Sequence, residues 1–75
     1  MPLSLAKNDK EVRLIGIQCG RRMRRRLAEL GLTVGVRLQV LHNAGKGPVI
    51  LGVRDCRLAL GQRVAQRLLV APING

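Results

Sequence analysis

The chain has 75 residues, with 14 Lys plus Arg against 4 Asp plus Glu and a formal net charge of +10. That length allows one domain with a modest core, and 47% hydrophobic residues make it globular rather than disordered. Aromatic residues are absent, which removes base-stacking platforms and aromatic peptide grooves, and no apolar run nears the ~20 residues that a membrane span requires.

The expected domain covers residues 1–75, with an N-terminal segment at 1–10 and a core at 12–71. In the first segment Leu3 and Leu5 precede the polar run Lys7-Asn8-Asp9-Lys10, and Ser4 is a candidate cap for one helical turn. This segment lacks the apolar stretch and small-residue cleavage site of a signal peptide. From Val12 the pattern is extended: Val12, Leu14 and Gly16 alternate with Arg13, Ile15 and Ile17, and Gly16 suggests a bulge or a close backbone approach. This is the first strand.

Gly20 opens a different period. Met23, Leu27 and Leu30 are spaced i, i+4, i+7 on one narrow helical stripe, so Leu27 and Leu30 are expected to pack inward. Gly31 suits a left-handed helix end, with Leu32 as the apolar residue beyond it. Thr33-Val34-Gly35 is a turn. Val36, Leu38 and Val40 then alternate as a second strand, and the turn-rich loop Asn43 to Gly47 follows. Pro48 starts a third strand whose inner residues are Val49, Leu51 and Val53. Asp55 marks a tight connection, and Cys56, Leu58 and Leu60 form a fourth strand. Gly61 to Gln66 reads as a helical turn with Val64 and Ala65 buried. Leu68 to Ala71 is a fifth strand, stopped by Pro72. Short strands at near-regular spacing predict a mostly β small barrel or sandwich. A barrel would also remove open sheet edges.

Catalysis finds little material. His42, Ser4 and Thr33 are single, and Asp9, Glu11, Glu29 and Asp55 are scattered, whereas general acid–base chemistry needs titratable groups gathered in a cleft. Cys19, His42 and Cys56 are suitable zinc ligands by type, but their spacing makes no site. The two cysteines read as reduced, small buried residues of a cytoplasmic protein. No catalytic, cofactor or metal residue is therefore expected.

The strongest signal is Arg21, Arg22, Arg24, Arg25 and Arg26, interrupted only by Met23. On a helix, Arg21/Arg25 and Arg22/Arg26 are like-charge i,i+4 pairs that cost ~0.2–0.5 kcal/mol each. Positive charge in a first turn also opposes the helix macrodipole. Solubility explains some of these arginines but not five in the wrong half of a helix. An acidic partner explains the placement. These five residues, with Lys46 in the following loop as a secondary contact, are the expected partner-binding set. Composition leaves two partners open: nucleic acid, through phosphate contacts alone, or an acidic protein surface.

The ordered run Arg24-Arg25-Arg26-Leu27-Ala28-Glu29-Leu30-Gly31-Leu32, then Gly35, the strand Val36 to Leu41, Gly47-Pro48-Val49 and Arg57-Leu58-Ala59-Leu60 resembles the FeoA family of ferrous-iron transport proteins. The resemblance runs from about Val12 to Ala71. It implies a five-stranded SH3-like barrel, with one short α-helix after the first strand and a helical turn before the last. It also implies a cytoplasmic, non-enzymatic accessory that docks on the cytoplasmic GTPase-containing part of the FeoB membrane transporter. Nucleic-acid binding by a basic small barrel is the alternative. Direct membrane insertion is not expected, and an uncovered strand edge offers a route to a homo-oligomer. Two departures from the family concern loops: Val34 stands where proline is common before Gly35, and Asn8-Asp9 lies where a glycine is usual.

Overall fold

Alternating aliphatic and polar residues produce five strands in the expected places. The computed structural model describes residues 1–73; Asn74 and Gly75, the end of the expected 1–75 span, lie outside the described residues. The strands are β1 (Glu11–Ile17), β2 (Arg37–His42), β3 (Val49–Val53), β4 (Cys56–Leu60) and β5 (Leu68–Pro72). Helix α1 (Arg21–Glu29) follows β1, and the short α2 (Gln62–Gln66) links β4 to β5. No helix is long and apolar enough to cross a membrane among the described residues.

The sheet runs in the order β4-β3-β2-β1-β5 and every pairing is antiparallel. Its register aligns the buried side chains, with Val12 opposite Leu38, Leu14 opposite Val70, Val40 opposite Leu51 and Val49 opposite Leu60. β1 pairs with β2 along its first half and with β5 along nearly its whole length, so it belongs to both walls of the barrel. The register shifts between Leu14 and Gly16, at the expected irregularity. A Cβ on Gly16 would stand 3.4 Å from Leu69 Cδ1, in close contact with the neighbouring strand at this bend.

Edge closure differs from expectation. β4 and β5 are the two ends of the hydrogen-bonded order and do not pair with each other. The barrel closes through side chains instead: Leu60 of β4 and Leu68 and Val70 of β5 join one aliphatic core, and α2 spans the gap with Ala65 buried beneath it. The outer edge of β5 is covered by the chain start, where Met1 N donates to Val70 O at 2.8 Å and Val70 N donates to Met1 O at 2.7 Å.

Ser4 caps nothing. It lies inside a 3-10 turn, Leu3–Leu5, whose only buried side chain is Leu3. Asp9, near the place of the absent glycine, adopts φ 65°, a conformation that Asp tolerates better than most residues. Asn43 joins three parts of the chain. Its Nδ2 donates to Ser4 O at 3.0 Å and to Ala6 O at 2.8 Å, and its Oδ1 accepts from Gly45 N at 3.1 Å and Gln62 Nε2 at 3.2 Å. One amide thus links the N-terminal segment, the β2–β3 loop and α2.

Helix α1 ends as its sequence suggests. Gly31 takes φ 90°, Gly31 N donates to Ala28 O at 2.9 Å, and Leu32 N donates to Leu27 O at 2.8 Å. This is a Schellman motif, and Leu27 and Leu32 both enter the core. Leu30 does not follow the expected stripe. It is the C-cap residue and is 48% exposed. The chain turns at this point, and Leu32 fills the inward position instead.

Asn43→Ala strands the partly buried Ser4 and Ala6 carbonyls and lowers unfolding free energy by about 1–3 kcal/mol, whereas the exposed Lys46→Ala changes it by less than about 0.5 kcal/mol. Urea midpoints at unchanged m check both, and an unmoved midpoint for Asn43→Ala refutes the linking role. Gly31→Ala places a Cβ in the left-handed region and costs about 1–2 kcal/mol, read in the same experiment.

Candidate functional site

Helix α1 is a light structure for its load of charge. Gly20, in extended conformation, is its N-cap, and no side chain caps the first turn; Arg24 N donates to Gly20 O at 3.0 Å. Leu27 is its one buried side chain, and Met23 packs partly against the core. Burying a leucine contributes about 1.5–3 kcal/mol. That exceeds the ~0.4–1 kcal/mol lost to the two like-charge pairs, so the helix holds despite its arginines.

All five arginines of the expected set are exposed. Among the described residues the ion pair is Arg37 with Glu11, at 3.3 Å, so none of the five meets a carboxylate. They are not equivalent. Arg24 leans toward the barrel, and its Nη1 donates to Ile17 O at 2.8 Å. Arg21, Arg24 and Arg25 border an open hollow of about 560 Å³ between α1 and the segment after it. Arg26 lies on the other side of the helix, at a hollow of about 390 Å³ lined by Met23, Leu30, Leu60 and Val64. Lys46 is exposed in the β2–β3 loop and lines neither hollow.

Cys56 corrects the expectation of two buried cysteines. It is exposed beside the β3–β4 turn on the outermost strand, where its shared parity with Leu60 does not bury it; Cys19 is half-buried against the core. His42 is exposed at the end of β2. No three of the His, Cys, Asp and Glu side chains gather into a metal-binding group among the described residues.

Sequence reasoning treated the arginines as one cluster. The i,i+4 relation of Arg21 to Arg25, with Ala28 beyond, was the available sign that three of them share a side of the helix. The hollow itself had no linear signal, because its lining joins Ile17 at the end of β1, the arginines of α1 and the loop residues Thr33 and Val34.

Comparison with known proteins agrees with this architecture. The FeoA domain family matches residues 1–72. A Methanocaldococcus jannaschii protein called Fe(2+) transport protein A is 33% identical over 69 residues, which is 92% of this chain and 83% of that protein. A crystal structure of an iron uptake regulatory protein, FeoA, is 33% identical, superimposes with TM-score 0.90 and is covered over 97% of each chain. The zinc complex of Stenotrophomonas maltophilia FeoA, described as a procaryotic SH3 domain protein, is 26% identical with TM-score 0.81, over 95% of this chain and 89% of that one. With its five-stranded barrel and its two helices in these positions, the chain belongs to the FeoA family and has the SH3-like fold of that family.

Proposed function

We propose that this chain is a non-enzymatic accessory of ferrous iron uptake, acting in the cytoplasm by docking on the GTPase-containing part of a FeoB membrane transporter and modulating it. Family membership supplies the process. The observation that carries docking is helix α1: five exposed arginines without an acidic partner, in an arrangement that local electrostatics disfavours. Such a surface raises encounter rates with an acidic protein face and sets orientation. Lys46 adds a second, separate positive contact. β4 ends the hydrogen-bonded order, and its outer edge offers a route to self-association.

A binding reading suits the rest of the molecule. Its one histidine, one serine and one threonine are His42, Ser4 and Thr33. They stand on β2, in the N-terminal 3-10 turn and in the loop after α1.

Calorimetric titration against the soluble cytoplasmic domain of the transporter tests the proposal. Binding is expected, weakening as salt shortens the screening length from ~10 Å at 0.1 M to ~3 Å at 1 M. Replacing Arg24, Arg25 and Arg26 by Glu is expected to raise Kd about tenfold or more. Normal binding by that variant removes the arginines from the interface. No binding by the folded parent protein at any salt concentration refutes docking altogether.

A further inference from the structure

The two sides of the arginine helix face different surroundings. On one side, Arg21, Arg24 and Arg25 surround a floor whose accessible aliphatic surface comes from half-buried Ile17 at the end of β1 and exposed Val34 after the helix, with Leu32 fully buried beneath them. No Asp or Glu lines this hollow. Val34 is 57% exposed, so the aliphatic surface there is uncovered. On the other side, the hollow beside Leu30 carries both Arg26 and Glu29, and its mixed charge selects neither sign of partner.

Three physical terms act together at the first hollow. Arg21 and Arg25 repel each other at i,i+4, and a carboxylate between them turns that repulsion into attraction. Arg24 is already held by Ile17 O, so its guanidinium loses less freedom on binding than a free side chain does. The apolar floor is a low-dielectric wall that strengthens the field of the rim. The uncapped amino end of α1 adds partial positive charge on the same turn as Arg21.

We propose that this hollow seats an acidic-aliphatic peptide segment of the partner protein. One or two carboxylates are held by Arg21 and Arg25, and a neighbouring Leu- or Ile-sized side chain lies on Ile17 and Val34. The proposal rests on the docking reading above and names the chemistry that it recognises. Phosphate polymers match the rim but carry no aliphatic group for the floor. A flat headgroup layer meets the arginines without reaching behind them.

The test uses two double variants with the same change in charge. Arg21→Glu with Arg25→Glu alters the hollow, whereas Arg22→Glu with Arg26→Glu alters the rest of the helix. Against the transporter's cytoplasmic domain both are expected to weaken binding, and the first is expected to raise Kd about threefold or more beyond the second. Val34→Asp, at an exposed position, is expected to weaken binding about threefold or more at constant thermal midpoint. Backbone amide shifts are followed with the acetylated, amidated peptide Glu-Glu-Leu-Glu-Glu. They are expected to cluster at Arg21, Arg25 and Val34, and to shrink when its Leu is replaced by Ala.

Equal losses from the two double variants overturn the hollow while leaving transporter docking intact. Peptide shifts centred on Met23, Leu30 and Val64 also overturn it. So do phosphatidylglycerol vesicles that perturb Arg21 and Val34 more than the peptide does, since they identify a lipid surface. Peptide binding at the hollow without binding to the transporter domain refutes the transporter reading and retains the hollow. Absence of both refutes both.

Discussion

Helix α1 stays on the barrel through Leu27 and the turn that follows it. Leu27 is the helix's one buried residue, and its carbonyl accepts from Leu32 N across the left-handed Gly31. This locks two leucines into the same aliphatic core within six residues. Everything exposed on the helix is oriented by that anchor. If Leu27 were polar, the helix would have little to offset its charge repulsion, because no side chain caps its amino end and, among the described residues, no carboxylate pairs with its arginines.

The core that receives Leu27 is wholly aliphatic, and no polar side chain is buried in it. With no aromatic residue available, it fills its volume with branched chains from every strand and from the turns between them. The hydrogen-bonded sheet stops at β4 and β5, so closure depends on packing and on short chain segments laid over the gap. Asn43 does for those segments what Leu27 does for the helix: one side chain fixes the N-terminal turn, a loop and α2 in register. The stable frame and the charged helix are thereby separate parts. Substituting an exposed arginine changes the surface field without touching the core.

Conflict between local stability and surface charge is the feature on which the proposed docking rests. Most of a small basic protein's charge keeps it in solution. In α1 the charge is concentrated where the macrodipole and the i,i+4 spacing both oppose it. Arg37, by contrast, forms an ordinary exposed ion pair with Glu11 at 3.3 Å.

The strands, their inward faces, the helix and its glycine stop were legible in the sequence, because period-2 and period-3.6 patterns and left-handed turn residues act over a few neighbours. The identity of the five arginines was legible for the same reason. Local pattern misplaced Leu30, Cys56 and Ser4, whose exposure or role depends on where the chain turns and which strand lies outermost. Tertiary structure alone decided that Arg24 bends to Ile17 O, that Ile17 and Val34 meet Arg21 and Arg25 around one hollow, and that Asn43 faces three segments at once. These are meetings between separate segments of the chain. Only the folded core fixes such distances, since side-chain contacts form through space and leave no periodic trace in the residues that make them.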